Sequence, residues 1–168
     1  MWKTITISKA MNETKNIKNI SEFEDKSLLI VDDDNPFRER LSRAMEKKGF
    51  IVTQAESVRN GIDSIKVKKP AFAVIDLRLN DGNGLEVVKE LQIQNNKSRI
   101  IMLTGYGNIP TAVAAIKHGA IDYLAKPADA EDVEKALLAD PKDKASPPEN
   151  PMSADRVKWE HIHRVFEL

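Results

Sequence analysis

The 168-residue chain contains no cysteine. Disulfides, thiolate metal centres and direct thiol redox sensing are therefore excluded. It has no apolar run approaching the roughly 18 residues that a membrane-spanning helix needs. Its first residues, Met1-Trp2-Lys3, are not followed by an apolar segment and a small-residue cleavage motif, so no secretory signal is expected. A cytoplasmic location is the expectation. Charge of one sign is not in excess either: 26 basic residues balance 26 acidic ones, which argues against a whole-chain electrostatic grip on nucleic acid. What is present is a globular composition, 41% hydrophobic and 31% charged, at a length that suits one domain with an appendage.

Residues 1–26 are mixed and polar without a sustained period, and are expected to form a mobile leader with at most a short helix. From Ser27 the pattern becomes regular. Leu28-Leu29-Ile30-Val31 is a short apolar run that fits a strand buried on both faces. Pro36 suits the first turn of a helix. Phe37, Leu41, Ala44 and Met45 recur at helical spacing, and Gly49 is the expected stop. The same unit repeats in form. Ile51 to Ala55 reads as a strand, and Ser57 caps a helix through about Lys66. Phe72-Ala73-Val74-Ile75 reads as a buried strand, Asp81-Gly82-Asn83-Gly84 as a turn, and Leu85, Val88 and Leu91 as a helix. Arg99 to Leu103 is a fourth strand, Pro110 to His118 a helix stopped by Gly119, and Tyr123 to Ala125 a fifth strand. Asp129 caps a last helix through about Ala139. Five alternations of short strand and amphipathic helix call for an α/β fold with a parallel sheet covered on both faces.

Polar residues fall at the strand ends. Asp32 and Asp33 follow strand one, Asp76 ends strand three, Thr104 ends strand four and Lys126 ends strand five. In an open parallel sheet the crevice outside the carboxyl ends of the strands is where ligands bind, so these five side chains should converge. Taken singly, an Asp here is most often a turn or helix cap, and Asp34 is assigned that role for the helix at Pro36. Thr104 alone is an ordinary loop hydroxyl and Lys126 alone a solvated charge. Together they point to chemistry. Three adjacent carboxylates stay ionised only beside a cation, and an oxygen-rich site completed by water and phosphate suits Mg²⁺. Lys126 adds fixed positive charge and Thr104 a hydroxyl donor for a phosphoryl oxygen. An Asp carboxylate can attack phosphorus to give an aspartyl phosphate, a transfer catalysed mainly by positioning and charge neutralisation.

The segments Leu29-Ile30-Val31-Asp32-Asp33-Asp34, Val74-Ile75-Asp76, Asp81-Gly82-Asn83-Gly84, Met102-Leu103-Thr104-Gly105 and Tyr123-Leu124-Ala125-Lys126-Pro127 together resemble the receiver domain of bacterial two-component response regulators. The resemblance implies a flavodoxin-like (CheY-like) doubly wound sheet of five parallel strands in the order 2-1-3-4-5, over residues 27–139. It implies Asp76 as phosphoacceptor and Asp33 as a direct Mg²⁺ ligand. Asp32 would act through a metal-bound water, and the backbone carbonyl of Arg78 would complete the protein ligands. Thr104 and Lys126 would contact the phosphoryl group, and Tyr123 would turn inward when Thr104 moves. Such a chain is a phosphoacceptor rather than an enzyme with turnover. A haloacid-dehalogenase-like enzyme also uses an aspartyl nucleophile, but would want an acid two residues further on, where this chain has Arg78. For Tyr123, the plainer alternative is an aromatic covering the core from a strand. Gly105 leaves room for a phosphodonor or simply makes a turn.

Residues 140–152 change character: Pro141, Pro147, Pro148 and Pro151 lie among charged and small residues, the composition of a semi-rigid linker. Ser153 and Asp155 then start a helix whose apolar side carries Val157, Trp159, Ile162, Val165 and Phe166. One amphipathic helix cannot bury that side without a partner. The stretch from Pro148 to Ile162 resembles the linker and first effector helix of RegA/PrrA/ActR-type global redox regulators. That likeness implies a RegB/PrrB-like sensor histidine kinase as partner and a phosphorylation-dependent homodimer. It also implies that residues 153–168 begin a Fis-like helix-turn-helix domain that is incomplete here. A recognition helix for the major groove is missing, so promoter DNA is expected to be bound by a longer parent rather than by this chain. His161 and His163, at spacing i and i+2, point to different helix faces and do not form a metal pair.

Overall fold

A computed structural model describes residues 18–105 and 109–140. The expected linker, the helix from Ser153 and both C-terminal histidines lie outside the described residues. The elements are β1 (Ser27–Val31), α1 (Asn35–Lys47), β2 (Ile51–Ala55), α2 (Val58–Val67), β3 (Phe72–Asp76), β4 (Arg78–Leu79), β5 (Gly82–Asn83), α3 (Gly84–Gln94), β6 (Arg99–Thr104), α4 (Ile109–Lys117), β7 (Asp122–Ala125) and α5 (Ala130–Leu138). The main sheet is parallel throughout, in the order β2-β1-β3-β6-β7. With the small antiparallel β4–β5 pair set aside, this is the expected 2-1-3-4-5.

Side chains alternate between the two faces of a strand, so each buried strand feeds two cores. Leu29, Val31, Ala73, Ile75, Ile100 and Met102 meet Val58, Ile65, Val87, Val88, Leu91 and Ala115 from α2, α3 and α4. Leu28, Ile30, Phe72, Val74, Ile101 and Leu103 meet Leu41, Met45, Val133 and Leu137 from α1 and α5. β2 lies at the sheet edge and is mostly exposed, which is why its sequence mixes Thr53 and Gln54 with apolar residues.

Local signals set the helix ends. Asp34 Oδ1 accepts from Phe37 N at 3.1 Å, Ser57 Oγ from Asn60 N at 3.0 Å, and Asp129 Oδ1 from Asp132 N at 2.8 Å. Each cap satisfies an N–H that the helix itself leaves open. Past α1 the chain turns at Gly49 with φ of +108°, a conformation that costs glycine little.

Two expectations change. Residues 18–26 are not a free leader: Ile20–Glu22 form a short 3₁₀ turn, Ile20 is buried, and the Phe23 ring meets Phe72 edge-on at 5.1 Å. Ile20 and Phe23 provide the apolar contact that the surrounding polar sequence hides. The Asp81–Gly84 turn is part of a hairpin, with Arg78 opposite Asn83 and Leu79 opposite Gly82.

Candidate functional site

The strand register brings the site together. Val31 pairs with Ile75, so Asp32 is level with Asp76. Asp76 pairs with Leu103, and Thr104 with Ala125, which sets Lys126 one residue beyond. Two backbone bonds fix the far side: Leu77 N donates to Leu103 O at 2.9 Å, and Lys126 N to Thr104 O at 2.8 Å. Asp32, Asp33 and Asp76 each offer a carboxylate oxygen within 4.8 Å of the others.

Lys126 Nζ bridges two of these carboxylates, at 2.7 Å from Asp32 Oδ2 and 3.1 Å from Asp76 Oδ2. The ammonium also lies 4.9 Å from the centre of the Phe37 ring, a cation–π contact that steadies it. Asp32 is fully buried, and its Oδ1 accepts from Asp34 N at 2.9 Å. Burial and the neighbouring Asp32 charge push the Asp76 carboxyl up to about 6, with Lys126 pulling the other way. Burial would lower the Lys126 ammonium, but its hydrogen bond to Asp32 and the charges of Asp32 and Asp76 hold it above its ordinary value. Three carboxylates around one lysine remain short of positive charge, and that deficit fits a divalent cation bound through oxygen.

Thr104 is buried at the end of β6, and its Oγ1 donates to Leu124 O over 3.5 Å, a long bond that is easily exchanged. Tyr123 is 4% exposed and packs with the α2–α3–α4 side of the core, and burial raises its phenol to about 12. The ring is therefore already inward. Arg78 stands two residues past Asp76 with its side chain exposed.

Three supporting residues were missed by sequence reasoning. A Cβ at Gly84 would lie 2.2 Å from the Asp76 carbonyl oxygen, so only glycine lets the hairpin close over the Asp76 backbone. Asp81 accepts from Val58 N at 2.8 Å and Arg59 N at 3.1 Å, tying that hairpin to the start of α2. Arg38 is buried beside Asp32. Of these, Arg38 did carry a signal, because it shares the helical stripe of Leu41, Ser42 and Met45.

A doubly wound parallel sheet whose carboxyl rim gathers three aspartates, a threonine and a lysine is the architecture of a signal-receiving domain. Residues 28–138 match the response regulator receiver domain, and the chain belongs to that family of two-component regulators. Such domains are phosphoacceptor regulators rather than turnover enzymes. Among its relatives, the chain is 60% identical over 144 residues to the acid tolerance regulatory protein ActR of Rhizobium meliloti (strain 1021), covering 86% of this chain and 74% of ActR. It is 62% identical over 144 residues to the photosynthetic apparatus regulatory protein RegA of Rhodobacter capsulatus, covering 86% of this chain and 78% of RegA. Among solved structures, it resembles a Burkholderia pseudomallei response regulator with a phosphorylated aspartic acid, calcium ion and citrate, at a TM-score of 0.67, 35% identity and 85% coverage of both chains. Among the described residues no helix is long and apolar enough to cross a membrane.

Proposed function

We propose that this chain accepts a phosphoryl group from a sensor histidine kinase on Asp76, with Mg²⁺ bound at the aspartate cluster. One observation carries the reading: Asp32, Asp33 and Asp76 bring their carboxylates together beside Lys126 at the sheet rim. In the transfer, an Asp76 oxygen forms the new bond to phosphorus as the phosphorus–nitrogen bond of a phosphohistidine breaks, and the imidazole nitrogen takes the departing electron pair. Asp32, Asp33, Asp76 and the Arg78 carbonyl would hold the ion, which when bound offsets charge on the phosphoryl oxygens. Lys126 is already placed at Asp76 and stays as a partner for the incoming group. Thr104 exchanges its long bond to Leu124 for a phosphoryl oxygen. The shift at Thr104 then repacks the Tyr123 ring between β6 and α4.

That repacking biases the α4–β7–α5 surface toward a homodimer, a local charge event read out by a two-state element. Similarity to ActR and RegA supports a role in transcription, with promoter DNA bound through a C-terminal domain of a longer parent and a RegB/PrrB-like kinase upstream. The decisive experiment is Asp76→Asn treated with acetyl phosphate and Mg²⁺. Intact-mass analysis should show the wild-type chain gaining one phosphoryl group and the variant none. Equal labelling of both would remove Asp76 from the assignment.

A further inference from the structure

Arg38 projects from the first turns of α1 back beneath the aspartate cluster. It is 9% exposed, and its guanidinium is spread over three elements. One Nη donates to the Asp32 carbonyl oxygen at 2.6 Å, Nε donates to Gln54 Oε1 on β2 at 3.1 Å, and the other Nη donates to Asn35 Oδ1 at the start of α1. All three acceptors are neutral. Among the described residues, no ion pair reaches this guanidinium. Burying a charge without a carboxylate partner is costly unless its hydrogen bonds are well made and something is gained from the charge.

The Asp32 carbonyl belongs to the peptide that joins Asp32 to Asp33. The N–H of Asp32 is held by Ala55 O at 3.1 Å, and its Oδ1 is held by Asp34 N at 2.9 Å. Its Oδ2 is held by Lys126 Nζ at 2.7 Å, and Arg38 holds its carbonyl oxygen. With the carbonyl pinned, the Asp32–Asp33 peptide plane is restrained, and with it the backbone positions from which both carboxylates project. Because the guanidinium takes a carbonyl and two amide oxygens, it occupies no carboxylate oxygen of the cluster. Arg suits the task better than Lys, since its rigid fork can serve three acceptors in fixed directions.

We propose that Arg38 is a positioning residue for the divalent-cation site: it orients the Asp32–Asp33 peptide through the Asp32 carbonyl. The inference rests on the phosphoacceptor reading and adds a residue to it. The test uses the 168-residue chain with Arg38→Met and Arg38→Lys. Mg²⁺ affinity is measured by calorimetry, and the rate of acetyl phosphate labelling is followed over a Mg²⁺ series. Arg38→Met should raise the Mg²⁺ dissociation constant about tenfold or more, as loss of a supporting shell does at other metal sites. The labelling rate at saturating Mg²⁺ should fall far less, and Arg38→Lys should lie between Met and wild type. A folded Arg38→Met with wild-type Mg²⁺ affinity, in a protein that does bind Mg²⁺ and label, overturns this inference alone. A wild-type chain that neither binds Mg²⁺ nor labels overturns it together with the phosphoacceptor reading. Should Arg38→Met not fold, Gln54→Ala combined with Asn35→Ala removes two of the three acceptors that aim the guanidinium at the Asp32 carbonyl. That double variant must then weaken Mg²⁺ binding several-fold, and unchanged affinity overturns the proposal.

Discussion

The two ends of the sheet are built on opposite terms. At the amino end, apolar groups are sealed, and Ser27 and Arg99 find hydrogen-bond partners while the buried Ser98 hydroxyl does not. Phe72 is packed edge-on by Phe23 at 5.1 Å and by Phe50 at 5.3 Å. Ser27 Oγ accepts from Ala71 N at 2.9 Å, and Arg99 donates to Ala139 O at 2.9 Å while lying over the Phe23 ring. At the carboxyl end, one lysine bridges two of three clustered acids and the Asp76 carboxyl is driven up to about 6. One end supplies stability, and the other spends some of it to keep an anionic, reactive rim. Removing packing at the sealed end should therefore destabilise the chain, whereas removing a clustered charge at the rim should stabilise it.

The largest expected effect is at the sealed end. Phe72→Ala empties a fully buried ring site and should cost about 3–5 kcal/mol in urea unfolding. The folded fraction should still label on Asp76, since the ring is at the opposite end of β3 from that carboxylate. A cost below about 1 kcal/mol would mean that the aromatic cluster is not what closes this end. Next comes Gly84→Ala, whose new methyl would meet the Asp76 carbonyl. Forcing the hairpin away should cost about 1–3 kcal/mol and slow labelling as well, because the displaced backbone carries Asp76. Loss of stability without loss of labelling would show that the hairpin gives way independently of the site.

Asp76→Asn should do the reverse and stabilise the metal-free chain. The folded carboxyl titrates near 6 against 3.8 for its ordinary value. Between those values the folded state holds a proton that the unfolded chain has released, so wild-type stability falls as pH rises from about 4 to 6. Asparagine has no such slope. Its advantage should be absent near pH 4 and complete above about 6, at about 1–2 kcal/mol once solvent screening at the open rim is allowed for. Thermal melts in chelator across that range measure it. Adding Mg²⁺ should raise the wild-type melting temperature and narrow the gap. An Asn variant less stable than wild type at pH 7.5 in chelator would break the contrast between the two ends.

The reactive rim was legible because its residues sit at the ends of apolar runs, where a parallel sheet must present them together. Asp32, Asp33, Asp76, Thr104 and Lys126 needed only strand positions to be placed. The sheet order and the role of Tyr123 were not carried by pattern, and entered through resemblance to a family. The sealed end was less legible. Ile20 and Phe23 are isolated apolar residues in a polar stretch, and only the tertiary fold reveals the ring of Phe72 that they cover. Gly84 read as a turn glycine, because no local spacing reports that a carbonyl 2.2 Å from its absent Cβ belongs to Asp76. Arg38 is the instructive middle case. Its place on the buried stripe of α1 is visible, yet what a buried arginine holds depends on β1 and β2.

The smallest effect expected lies at the outer edge of the carboxyl end, at Asp81. This carboxylate accepts from the first N–H groups of α2, and those bonds hold its pKa below the ordinary 3.8. A depressed carboxyl contributes stability that is present above its unfolded value and is lost as pH falls through its folded value. Asp81→Ala should thus lower the melting temperature slightly at neutral pH, by less than either Phe72→Ala or Gly84→Ala, and the difference should shrink below pH 4. Because Asp81 joins the β4–β5 hairpin to α2, its loss should also loosen the hairpin and raise amide exchange at Val58 and Arg59. Labelling of Asp76 should persist, since Gly84 N remains bonded to Leu77 O at 2.8 Å and keeps the nearer half of the hairpin over the site. If Asp81→Ala abolished labelling, the hairpin would have to count as part of the reactive rim rather than as its support.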